Sequence, residues 1–118
     1  AEWEILKQHP VRSAEIVGEV SRLSEVAKIV RHHHERVDGL GYPDGLVGDE
    51  IPVFSQVISI ADAYEALTSN RAYRPALSPR QALEVLRGNL GTQFDRRIGE
   101  VFLATEKAHD PGAFRAVA

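Results

Sequence analysis

Apolar residues recur along this chain at helical rather than strand-like intervals, and prolines and glycines cut the pattern into segments. Trp3, Ile5 and Leu6 precede His9-Pro10, and Ala14, Ile16, Val17 and Val20 then recur at helical spacing, which predicts a short helix, a break at the proline and a second helix. Ser24-Glu25 opens another helix, whose apolar positions Val26, Ala27, Ile29 and Val30 run straight into His32, His33 and His34. Residues 38–48, DGLGYPDGLVG, hold four glycines and a proline, a density that neither a helix nor a central strand tolerates, so an irregular loop is predicted. Pro52 starts the strongest helix, with Phe54, Val57, Ile58, Ala61 and Leu67 as its apolar stripe and Asp62 within it. After a polar connection over 70–77, Ser78, Pro79 and Gln81 spell a capping box ahead of a helix that turns Ala82, Leu83, Val85 and Leu86 inward. Gly91 ends that pattern, and a last helix from 95 to about 107 presents Ile98, Val101, Phe102 and Leu103 to the core. With no internal repeat and no useful strand alternation, the fold class is all-α.

A chain of 118 residues has room for one core, and 43% hydrophobic with 26% charged residues is too apolar and too evenly mixed for a disordered segment. Fourteen basic against seventeen acidic residues leave a formal charge of -3, and no basic block is present to neutralise successive phosphates, which argues against polymeric nucleic acid as a partner. The absence of cysteine excludes disulfides and thiolate zinc sites. Apolar runs fall far short of the roughly 20 residues of a membrane helix, and no signal pattern precedes them, so a soluble cytoplasmic domain is expected. The chain starts at Ala1 inside a helical pattern and reads as a piece of a longer protein, with a flexible tail expected over about 108–118.

Three consecutive histidines, a separate His9 and a carboxylate inside an apolar helix are the chemically unusual features. Adjacent helical residues point about 100° apart, so two neighbouring histidines can ligate different ions of a close pair, with Asp62 as a bridging carboxylate. Imidazole and oxygen ligands without thiolate suit iron, manganese, nickel or zinc in a hydrolytic site, where metals stabilise charge and acidify water. Simpler explanations stand beside this one: histidines near a helix C-terminus favour its macrodipole, and Arg36, Arg71 or Arg74 would satisfy Asp62 as an ion pair. His109 reads as an exposed tail residue. The loop at 38–48 is longer and richer in glycine than a simple connection requires, which suggests close backbone approach to a ligand. Tyr42 and Pro43 offer a flat apolar surface to a base, and Arg71 and Arg74 can hold phosphate. Together these features favour a phosphorylated nucleotide.

The segments HHHERVDGLGYPDGLVGDEIP, IADAYEALTSNRAYRPALSP and GTQFD resemble the HD-GYP family of metal-dependent phosphohydrolases, and the resemblance covers nearly the whole chain. It implies the C-terminal part of an HD-domain helical bundle, extended by two helices that carry the GYP loop. The implied activity is hydrolysis of cyclic di-GMP to pGpG or GMP with two or three divalent metal ions, iron or manganese foremost. By position, His9, His33, His34 and Asp62 match the family's metal ligands, and Tyr42, Pro43, Arg71 and Arg74 match the residues facing the dinucleotide. Gly39, Gly41 and Gly45 would give the loop its shape. His32 falls where the family does not require histidine. The family's HD dyad is expected upstream of this chain, together with its first helices, so this stretch would hold only part of the metal site. Ser13, Val37 and Glu65 depart from the family's usual glycine, bulky residue and aspartate. Two functions follow as expectations: a catalytic portion of a cyclic di-GMP phosphodiesterase, or a truncated, non-catalytic module that binds the dinucleotide or a partner protein. A homodimer through exposed helices and an upstream regulatory domain are further expectations.

Overall fold

The computed structural model describes residues 2–18 and 24–108. Among these residues are five α-helices, α1 (Glu2–Gly18), α2 (Ser24–Arg31), α3 (Val53–Thr68), α4 (Pro79–Gly88) and α5 (Arg96–Ala108), and a 3-10 turn at Gly48–Glu50. Among the described residues the only β-type pairings are isolated bridges, so the all-α class holds. Val20, His109 and the tail over 109–118 lie outside the described residues.

The break expected at Pro10 does not occur, because α1 runs through it without interruption. A proline inside a helix removes one backbone hydrogen bond and costs about 3 kcal/mol. Burial works against that cost here: Pro10 is among the most completely buried side chains, and α1 lies along α2. Packing against a neighbouring helix has outweighed local propensity.

Ile60, Leu86, Leu90, Phe94 and Leu103 form the core, contributed by α3, α4, the turn after it and α5. Tyr64 and Phe102 close one side, edge to face with ring centroids 5.6 Å apart. Capping fixes where the two last helices begin. The Ser78 hydroxyl accepts the Gln81 N–H while the Gln81 side chain accepts the Ser78 N–H, completing the box read from the sequence. Asp95 accepts the Ile98 N–H at 2.9 Å at the start of α5.

The face that α3 buries differs from the stripe predicted for it. Phe54, Val57, Ile58 and Ala61 are exposed, Phe54 by 68%, while Ser55, Gln56 and Ile60 are buried. The physical reason lies in the neighbours: α2, α4 and α5 all pack against α3, and the polar residues they cover are hydrogen-bonded. The Ser55 hydroxyl donates to the Ile29 carbonyl at 2.8 Å, and the Gln56 amide donates to the Ile51 carbonyl at 2.9 Å. Val85 and Val101 are likewise exposed rather than inward-facing, Val101 by 65%. Val53, Val57, Ile98 and Val101 border an apolar groove between α3 and α5.

Candidate metal and nucleotide site

The helix α2 ends at Arg31, and His32, His33 and His34 form the turn that follows, so the three imidazoles leave the helix end in different directions. The His33 Nδ1 faces the Val30 carbonyl oxygen, which can only accept, so the proton belongs on Nδ1. In the neutral ring this tautomer places the lone pair on Nε2. Nε2 faces Asp62 Oδ2, on α3, across 3.9 Å. His34 packs against His33 with ring centroids 4.1 Å apart, and on its other side the Tyr42 ring stacks at 5.2 Å and 20°. Burial lowers the His34 pKa from its usual value, and His33 lowers it further; Asp62 opposes this, and His9 adds a small push in the lowering direction. Burial raises the pKa of the Tyr42 hydroxyl.

The loop carrying Tyr42 is built on close backbone contact. A Cβ added at Gly41 would come within 2.6 Å of the Glu35 Cα and of the His34 carbonyl oxygen, so only glycine fits there. Gly39 and Gly45 adopt positive φ, +83° and +67°. The backbone N–H of Tyr42 donates to the His34 carbonyl at 3.3 Å. From the opposite side, the turn after α4 holds the start of the loop, with the Asp38 N–H donating to the Thr92 carbonyl at 2.9 Å.

These elements enclose a cleft of about 690 Å³ with His33, His34, Tyr42, Asp62, Glu65 and Arg71 on its walls. Five of the eight residues expected at the site therefore meet there. Asp62 is the surprise among them, since its side chain is 61% exposed rather than set on the buried face of α3. The arginine explanation for Asp62 is not realised. Arg36 pairs with Asp38 at 2.8 Å, Arg71 with Glu65 at 3.3 Å, and Arg74 donates to the Ala66 carbonyl at 3.1 Å. The other three expected residues lie off the cleft wall. His9 is exposed on α1 and borders a separate hollow with Gln8, Arg12 and Ser13, reaching His34 only through its charge. Pro43 is half-buried in the loop, and Arg74 forms a turn with Arg71 through paired backbone hydrogen bonds of 2.9 and 3.2 Å.

The donor set fits a divalent metal. Two ligands each about 2.1 Å from a first-row ion can lie at most about 4.2 Å apart, and the 3.9 Å between His33 Nε2 and Asp62 Oδ2 falls within that span while exceeding a hydrogen bond. A partner on Nδ1 and a bare Nε2 is the arrangement that ligating histidines adopt. Burial disfavours the charged form of His34, in the direction that ligation by a neutral imidazole requires.

A second group of potential ligands was not anticipated. His32, Glu35 and Asp44 bring one nitrogen and two oxygens within 4.8 Å of one another. Their lone pairs are already in use: Glu35 accepts the Asp44 and Leu46 backbone N–H groups at 2.9 and 3.0 Å, and Asp44 takes a two-pronged contact from Arg31 at 2.9 and 3.0 Å. Glu35 is buried, and the sequence offers a weak sign of this in a glutamate wedged between a histidine run and a glycine-rich loop.

Residues 1–98 match the HD domain family. The chain is 37% identical over 108 residues to the 3'3'-cGAMP-specific phosphodiesterase 3 of Vibrio cholerae, covering 92% of this chain and 23% of that protein. It is 40% identical over 104 residues to the cyclic di-GMP phosphodiesterase response regulator RpfG of Xanthomonas campestris pv. campestris, covering 86% of this chain and 28% of that protein. Its fold matches the crystal structure of a cyclic GMP-AMP specific phosphodiesterase of V. cholerae, V-cGAP3, with a TM-score of 0.74 and 22% identity over 94% of this chain and 25% of the other. The chain thus spans about a quarter of the length of these relatives.

Proposed function

Because the chain belongs to the HD domain family, we propose that it forms the metal- and nucleotide-facing part of a phosphodiesterase that hydrolyses a cyclic purine dinucleotide, cyclic di-GMP foremost. The observation that carries this reading is the stack of Tyr42 on His34 beside the His33–Asp62 pair, which sets an aromatic platform next to metal-type ligands in one cleft. His33, His34 and Asp62 would hold divalent ions there. Such ions polarise a phosphoryl oxygen and lower the pKa of water.

The chain's own residues do the rest. Tyr42 offers its ring face to a purine, a contact that tolerates either guanine or adenine because every base has a π-face. Arg71 lies on the cleft wall in an ion pair with the exposed Glu65, from which a phosphate with its fuller charge can draw the guanidinium away. Hydrogen bonding at Nδ1 keeps the His33 ring oriented with Nε2 toward the cleft side of Asp62.

One observation favours a second reading. His9 lies outside the cleft, so a protein whose cleft holds the dinucleotide without cleaving it is also consistent with the geometry. The experiment that separates the two is hydrolysis by the full-length protein, purified anaerobically and supplied with manganese, followed by chromatography of products from cyclic di-GMP and 3'3'-cGAMP. Metal-dependent conversion that is lost in Asp62→Ala supports the phosphodiesterase. Binding without conversion supports the second reading, and conversion undiminished in Asp62→Ala removes Asp62 from the site.

A further inference from the structure

Glu35 is the one buried carboxylate among the described residues, and it borders the cleft next to His34. A buried carboxylate is costly unless its oxygens are well supplied with donors. Here the donors come from the loop itself. Oε2 accepts the Asp44 N–H at 2.9 Å and faces His32 Nδ1 at 3.2 Å, and Oε1 accepts the Leu46 N–H at 3.0 Å. Asp44 is held a second time from outside, where Arg31 grips its carboxylate with two parallel bonds. Residues 44 and 46 are therefore tied to the end of α2 by charge-assisted bonds, two and four positions after the tyrosine that stacks on His34.

We propose that Glu35, reinforced by Arg31 and Asp44, is a positioning residue that fixes the glycine-rich loop so that Tyr42 is ready to receive the base of the dinucleotide before it binds. The proposal rests on the phosphodiesterase reading of the cleft for its ligand, and on the hydrogen bonds alone for the clamp. A glycine-rich loop gains much conformational freedom when released, and a ligand that must order it first binds more weakly. Glu35 acts on affinity through Tyr42. The His33 ring is oriented separately, by the Val30 carbonyl.

The test uses the full-length protein and two variants, Glu35→Gln and Arg31→Met. A glutamine can accept only one of the two backbone N–H groups, and its own amide then opposes the other. Three quantities are measured: hydrogen exchange at the Asp44 and Leu46 amides, the Kd for cyclic di-GMP by calorimetry, and bound metal. For Glu35→Gln we expect exchange at one or both amides at least about tenfold faster and a Kd about tenfold weaker, with bound metal unchanged. Arg31→Met, at an exposed pair, is expected to weaken binding about two- to threefold. Exchange rates equal to those of the wild type, or faster exchange with unchanged affinity, overturn the proposal. Should Glu35→Gln fail to fold, Arg31→Met decides by the same comparison. If the wild type binds no cyclic di-GMP, the phosphodiesterase reading is what fails, and the exchange rates decide the clamp by themselves.

Discussion

Replacing Gly41 with alanine tests whether the loop is as tightly seated as its contacts imply. The added methyl would lie 2.6 Å from both the Glu35 Cα and the His34 carbonyl oxygen, and it would also collide with the Arg36 nitrogen. Ordinary contact begins at about 3.5 Å, so the loop must retreat by about 1 Å. All three obstacles are backbone atoms that cannot rotate aside. Overpacking usually costs about 1–3 kcal/mol, and a backbone collision belongs at the upper end, about 3 kcal/mol. The retreat would also break the Tyr42 N–H contact to His34 and the ring stack beside it, a stack worth about 1 kcal/mol. At roughly 4 °C per kcal/mol for a domain of this size, the combined loss of about 4 kcal/mol should lower the melting temperature by about 16 °C. Circular dichroism during heating reads this directly. Gly88→Ala is the control, since a Cβ there meets nothing within 4 Å and alanine favours a helix by up to about 1 kcal/mol. Equal melting of Gly41→Ala and the wild type would refute the close seating of the loop.

Leu86 is 1% exposed at the centre of the core, so Leu86→Ala should destabilise by about 3 kcal/mol in denaturant titration, and a loss below about 1 kcal/mol would contradict the packing described. The Arg31 guanidinium holds the Asp44 carboxyl below the usual carboxylate range. A carboxylate whose folded pKa is depressed stabilises the fold above its unfolded pKa, near about 4, and loses that contribution as pH falls through the folded value. The melting difference between the wild type and Asp44→Asn should therefore shrink between about pH 5 and about pH 2, and a constant difference would contradict the ion pair.

Patterns confined to a few neighbouring residues were read correctly from the sequence. Ser78, Pro79 and Gln81 start α4 as a capping box, and the loop over 38–48 is irregular, because both features depend on local backbone chemistry. Pro10 departs from the break its residue type predicts because its burial in the folded chain is invisible in its neighbours along the sequence. On α3 the periodicity located an apolar stripe at Phe54, Val57 and Ile58 but could not say which face the other helices would cover, and hydrogen-bonded Ser55 and Gln56 took the inner positions. The site divides the same way. His33, His34, Tyr42 and Asp62 stand out in the sequence by their chemistry and share one cleft, whereas Glu35 bonds to backbone N–H groups nine and eleven residues away, which no spacing rule encodes.

The central claim is that the cleft between the histidine turn and α3 holds divalent metal through His33, His34 and Asp62. Elemental analysis of the full-length protein, purified anaerobically without chelators, tests it most directly when paired with Asp62→Ala. About two ions per chain are expected in the wild type and a clear loss in the variant. Metal content that is negligible in the wild type, or identical in the two proteins, would contradict it.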